Sequence, residues 1–228
     1  RRWRPAWGTR RMTEPAVQAV IFDFDGVICQ TEVYKLSGMA AMLEAMGLKV
    51  ELKELYRLAG GTHLEKEAIL DEIFGSQKRY WEIRDEVLGL RPAPFPHLAL
   101  RTEGIVETLS GLKQRGICLA VASNSGEERL RRALKDCQVL EYFDYVISAF
   151  DLGKRKPDPF VYLYAMERMG VAAESCVIVE DSALGIRAGK AAGARVAALQ
   201  DRDRAIDQSE ADVILRRISQ LFEYLAME

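Results

Sequence analysis

Short, uninterrupted apolar runs alternate along this chain with longer stretches whose apolar positions recur every three or four residues. VQAVIFDF, beginning at Val17, is rich in branched and aromatic residues and stops at a glycine turn, as a strand buried on both faces should. ICLAVAS and CVIVED have the same character, and YVISAF and ARVAAL are shorter versions. Between them lie helical patterns such as the Val106, Leu109, Leu112 spacing. Strand and helix in alternation predict an α/β fold: a doubly wound, Rossmann-like parallel sheet covered by helices on both faces.

One stretch departs from the alternation. From Thr31 to His97 there is no convincing strand, only helical patterns: KLSGMAAMLEAMGL, ELKELYRLA, HLEKEAILDEIFG and the run from Gln77 to Leu90. Gly60-Gly61 and Gly75-Ser76 supply the turn signals between them. RPAPFPHLAL then sets three prolines within five residues, which reads as a stiff, extended connector. The pattern predicts an inserted α-helical domain over residues 32–97 and a core domain from residues 15–31 and 98–228.

Composition narrows the function classes. The chain has 228 residues, 49% hydrophobic and 29% charged, so it holds enough apolar material to fold rather than stay disordered. No apolar run reaches the roughly 18–20 residues that span a bilayer, and no membrane partner is expected. A net charge of −2 argues against a nucleic-acid partner. Residues 1–14 form a basic extension, expected to be disordered; alternatively, the part before Met12 lies upstream of a start there. Without residues 1–12, which hold five arginines and no acid, the rest carries 27 basic against 34 acidic residues, about −7. An anionic-surface anchor or a targeting peptide is the alternative for this segment, although it lacks the serine enrichment of the latter. Cys29, Cys118, Cys137 and Cys176 are widely spaced, with no CxxC pair, and read as reduced thiols of a cytoplasmic protein.

The candidate chemistry sits at strand ends. Phe22-Asp23-Phe24-Asp25-Gly26-Val27 closes an apolar strand with two carboxylates spaced by one residue. Ligands of open parallel sheets bind at the carboxyl ends of strands, and a divalent cation would relieve the repulsion between such acids. A solvated Asp-Gly turn is the bland alternative. Val121-Ala122-Ser123-Asn124-Ser125 ends another strand with hydroxyl and amide groups, which could equally cap the helix starting near Glu127. Lys154, Arg155 and Lys156 precede Pro157-Asp158-Pro159, a basic loop before a helix start. Val179-Glu180-Asp181-Ser182 ends a further strand with adjacent acids and runs into a small-residue helix through Gly185 and Gly189.

In that order, these segments resemble the four motifs of the haloacid dehalogenase superfamily, from Val17 to about Ala198. The insertion is similar to the helical cap of its β-phosphoglucomutase-like and phosphoglycolate-phosphatase-like members. The resemblance implies a Mg2+-dependent phosphatase acting on a small phosphorylated metabolite, sugar phosphates first, through an aspartyl-phosphate intermediate. It makes Asp23 the nucleophile and Asp25 the acid–base group. It gives the metal to Asp23, the main-chain carbonyl of Asp25, Asp181 and, directly or through water, Glu180. Phosphate falls to Ser123, the Asn124 amide and Lys156, the last preferred over Lys154 because it stands immediately before the proline.

Dehalogenases of this fold lack an acid at the position of Asp25, so its presence favours phosphoryl chemistry. β-Phosphoglucomutase-like members carry a histidine where this chain has Lys35, and a cap-loop arginine where Ala59-Gly60-Gly61-Thr62-His63 has His63. Thr31 matches, whereas Gln30 replaces the usual acid. The phosphatase reading is thereby preferred to the mutase. A phosphonatase using Lys35 as a Schiff-base lysine and a non-catalytic phospho-ligand-binding module are further alternatives. Lys35, Gly61, Thr62 and His63 are the candidate substrate-specificity residues of the cap, and His97 is expected to be structural. The expected state is a monomer, with a homodimer as alternative.

Overall fold

The computed structural model describes residues 17–45, 47, 49–56, 68, 69, 71–73, 95–200 and 206–226. All five expected strands are present: β1 (Ala19–Phe22), β2 (Cys118–Ser123), β3 (Tyr145–Ser148), β4 (Cys176–Glu180) and β5 (Arg195–Leu199). A sixth, β6 (Val213–Leu215), was not foreseen. Three residues with an exposed Ile214 in the middle give no periodic signal. The strands form one sheet in the order β3-β2-β1-β4-β5-β6, all parallel. β1 is central, with Ala19 in register with Cys118 on one side and Cys176 on the other. The sheet is wound outward from β1 in both directions, which leaves the crevice of a doubly wound fold at the carboxyl end of β1.

Successive residues of each strand feed opposite faces. Val20, Phe22, Leu119, Val121, Val177 and Val179 pack beneath α3 (Ile105–Gln114), α4 (Glu127–Asp136) and α7 (Leu221–Ala226). Ala19, Ile21, Ala120, Ala122 and Ile178 pack beneath α5 (Phe160–Met169) and α6 (Ala183–Ala191). Both faces are dry, which is why these strands read as continuous apolar runs rather than as alternations.

The region between β1 and α3 contains α1 (Thr31–Ala45) and α2 (Leu52–Tyr56). Residues 68, 69 and 71–73 are also helical. No strand occurs among the described residues of this region. The helix begins at Thr31, ahead of the KLSGMAAMLEAMGL pattern, with the Thr31 N–H bonded to the Cys29 carbonyl. Residues 91–94 of the connector lie outside the described residues, and its far end departs from expectation. His97–Leu100 is a single 3-10 turn, not an extended segment. Beyond Pro96 the amide groups are available again, and those of His97 and Leu100 donate to Phe95 and Pro96.

Outgoing and returning chains are laced together below α1. The Gln30 N–H donates to Leu100 O (2.8 Å) and the Thr102 N–H to Ile28 O (3.0 Å). The Gln30 side-chain amide donates to both Gly26 O (2.8 Å) and Thr102 Oγ1 (3.0 Å).

Candidate active site

The four chain segments converge. Asp23 follows β1, Ser123 ends β2, Glu180 ends β4 with Asp181 beside it, and Lys156 comes from the loop after β3. Lys156 Nζ donates to Asp23 Oδ1 (2.5 Å), Glu180 Oε1 (2.7 Å) and the carbonyl of Ala122 (2.9 Å). Its three protons are thus all used, and its side chain is 4% exposed. Lys156 is further anchored by its own N–H, which donates to Asn124 Oδ1 (3.0 Å). Lys154 and Arg155 point elsewhere, over the Phe160 and Phe150 rings.

Asp23, Glu180 and Asp181 offer carboxylate oxygens within 4.8 Å of one another, all three residues being buried. Three acids against one lysine leave a negative site. Burial pushes the Asp23 carboxyl well up; Lys156 opposes this, while Glu180, Asp181 and Asp25 add to it. Burial disfavours the Lys156 ammonium, yet Asp23 and Glu180 outweigh it and raise its affinity for the proton. Glu180 is held on the ionised side against burial by Lys156, Tyr162 and Ser182.

Glu180 is saturated. Its Oε1 accepts from Lys156 and from the Tyr162 hydroxyl (2.7 Å), and its Oε2 accepts from the N–H groups of Asp181 (3.0 Å) and Ser182 (3.2 Å) and from Ser182 Oγ (3.1 Å). Close approach to it requires glycine. A Cβ at Gly185 would lie 1.8 Å from Glu180 Oε1, and one at Gly26, where φ is +85°, 2.0 Å from Asp181 Oδ2.

Asp25 stands at the edge of the cluster, with its side chain 27% exposed. It accepts from the Thr31 hydroxyl and from Lys35 Nζ (2.9 Å). Burial would raise its carboxyl, but Lys35 and the Thr31 hydrogen bond carry it below the usual value. Lys35 also binds Glu32 (2.6 Å), and the two acids raise it in turn.

Ser123 is buried, and its Oγ accepts from the Ser125 N–H (3.2 Å). Ser125 does not cap α4. The residue preceding that helix is Gly126, and the carboxylate of Asp151, past β3, accepts from the Glu127 N–H (2.8 Å). His97 packs between Phe24 and Phe95 and contacts Asp136 Oδ2 through Nδ1 (3.1 Å), a structural arrangement. Gly61, Thr62 and His63 lie outside the described residues.

Two participants were missed in the sequence. Tyr162 reads there as one apolar position of α5, and its hydroxyl only becomes meaningful once Glu180 is opposite. Gln208 is buried and donates to the carbonyls of Asp181 (2.7 Å) and Leu199 (2.9 Å), holding down the end of β4.

The doubly wound α/β core gathers three buried acids and a buried lysine at the carboxyl ends of its strands, where enzymes of this fold place their active sites. Residues 20–199 match the family model of haloacid dehalogenase-like hydrolases. The chain belongs to that family, in the branch that holds its phosphatases. It is 30% identical over 185 residues to a phosphorylated carbohydrates phosphatase of Thermotoga maritima, covering 78% of this chain and 82% of the relative. It is 32% identical over 184 residues to a phosphoglycolate phosphatase of Neisseria meningitidis, covering 78% and 77%. A solved HAD family hydrolase from Deinococcus radiodurans, with bound phosphate and sodium, superposes with a TM-score of 0.76 at 26% identity, over 92% of this chain and 96% of that one.

Proposed function

We propose that this enzyme is a Mg2+-dependent phosphatase that hydrolyses a small phosphorylated metabolite, a sugar phosphate foremost, through an aspartyl-phosphate on Asp23. The observation that carries the reading is the buried meeting of Asp23, Lys156, Glu180 and Asp181 from separate strand ends. The donor set fits magnesium: hard carboxylate oxygens, a surplus of negative charge, and a glycine at residue 26 that lets Asp181 come close. Asp23, Asp181 and the carbonyl of Asp25 would hold the ion. Glu180, already saturated, contributes by orienting Lys156 and the chain at Asp181. When bound, the metal neutralises charge on the phosphoryl oxygens.

A carboxylate oxygen of Asp23 attacks phosphorus, and the P–O bond to the leaving group breaks as Asp25 gives that oxygen a proton. Asp25, then ionised, takes a proton from water, whose oxygen attacks the same phosphorus and releases phosphate and the Asp23 carboxylate. Lys35 and Thr31 favour the ionised form that this second half needs. Lys156, Ser123 and the Asn124 N–H stabilise the phosphoryl oxygens in both halves. Lys35, ion-paired to Asp25 and Glu32, is a poor Schiff-base nucleophile, which counts against the phosphonatase alternative. Residues 32–97 serve as the cap that selects the substrate. The four free cysteines fit a reducing, cytosolic setting.

The test is phosphate release from p-nitrophenyl phosphate with magnesium. Wild-type protein is expected to exceed Asp23→Asn by about a thousandfold or more, a range typical for loss of a covalent nucleophile. Equal rates would leave a binding module instead. A coupled assay for glucose 1-phosphate to glucose 6-phosphate conversion, with a bisphosphate primer, separates the mutase alternative.

A further inference from the structure

Beside Asp25 lies a cavity of about 400 Å³ whose wall is part apolar, from Phe24, Phe95 and Leu130, and part cationic, from Lys35, Arg129 and Arg132. Each charge on this wall can be traced. Lys35 is bonded to Asp25 and Glu32, and Asp136 faces His97. Arg132 is bonded to Glu128 on the exposed side of α4 (3.1 Å). Glu127 is bonded to Arg131, so neither acid in the first turn of α4 is left to neutralise Arg129. Arg129 is exposed and has no hydrogen bond or close ion pair among the described residues, although it stands near enough to Asp25 to help lower its carboxyl. Ser125 also lines the cavity, at the amino end of α4, where the helix dipole favours an anion.

From this wall we infer that the substrate carries a second anionic group, a carboxylate or a second phosphate, on the part not transferred, and that Arg129 binds it. The inference rests on the phosphatase reading only for orientation: an ester whose phosphoryl group is held by Asp23 and Lys156 extends past Asp25 into this cavity. A neutral sugar would leave the guanidinium unmatched, whereas a carboxylate or phosphate takes its planar donors two at a time.

The test measures binding where turnover is blocked. In Asp23→Asn protein with magnesium, calorimetry compares 2-phosphoglycolate and 1,3-propanediol bisphosphate with 2-hydroxyethyl phosphate, which has a neutral far end. At least one doubly anionic ester is expected to bind tenfold or more tightly than the neutral one, and which of the two is preferred identifies carboxylate or phosphate. Adding Arg129→Met should bring that ratio to within about threefold of unity, and Arg129→Lys should restore part of it. Thermal melting of each variant checks that the fold is kept. Ratios near one before Arg129 is changed, or a preference that survives Arg129→Met, would overturn the inference. Failure of the wild-type enzyme to release phosphate from any ester would sink the phosphatase reading instead, and the affinity ratio would still decide this one.

Discussion

Lys156 owes its position to groups that never meet the substrate. Tyr162 is buried, and its hydroxyl shares Glu180 Oε1 with the lysine. Removing it leaves the acid one donor short, and hydrogen bonds to charged groups are worth about 1.5–3 kcal/mol. Tyr162→Phe is therefore expected to lower kcat about tenfold with little change in KM, read from steady-state kinetics. A purely structural role would instead move the melting temperature and leave kcat per folded molecule intact. Gly185→Ala forces a methyl group into the Glu180 carboxylate. It should cost most of the activity and several degrees of melting temperature, whereas Ala183→Gly, at the start of the same helix, should cost only the usual helix-propensity increment of about 1 kcal/mol. Of these residues, the motif acids, the lysine and Gly185 were visible in the sequence, and Tyr162 was not. Carboxylates before a glycine turn advertise themselves; a tyrosine inside an apolar helix does not, because its partner lies on a strand it reaches only after folding.

Among the elements, the strands were legible and the caps were not. Five buried parallel strands give runs too apolar to mistake, but β6 is short and half exposed. The helix start near Glu127 was legible, but its partner was not: Ser125 looked able to cap α4, whereas the acceptor that serves it, Asp151, arrives from a different loop. Two more aspartates act in the same long-range way. Asp144 accepts from the Leu119 N–H in β2 and pairs with Lys113; Asp212 accepts from the Val196 N–H in β5 (2.7 Å) and pairs with Lys190 (2.6 Å). Burial would raise the Asp212 carboxyl, but the Lys190 and Val196 hydrogen bonds hold it below its ordinary 3.8. A carboxyl lowered on folding adds stability that is fully present above the unfolded value and is lost as pH falls through the folded one. Asp212→Asn should therefore destabilise the protein by about 1 kcal/mol near neutrality, and the gap should close below pH 3.8 in denaturant titrations.

For the molecule as a whole, the site concentrates negative charge in the interior of the sheet's carboxyl edge. A cation that binds the folded chain alone shifts unfolding by mass action, about 2.7 kcal/mol at a hundred times its dissociation constant. Saturating magnesium should raise the melting temperature by several degrees, and Asp181→Asn should abolish most of that rise. An unchanged melting curve would count against a metal among these acids, whatever the assay shows. No described helix is long and apolar enough to cross a membrane.

The lacing of Gln30, Leu100, Ile28 and Thr102 has a consequence for how such a chain can vary. Where the polypeptide leaves the sheet and where it comes back are hydrogen-bonded neighbours, so the excursion starts and ends at one closed base. Such a base predicts that the length between the two crossings can change without moving a strand partner. Replacing residues 32–96 by a few glycines and serines should yield a smaller protein that still folds, stripped of whatever discrimination the excursion confers.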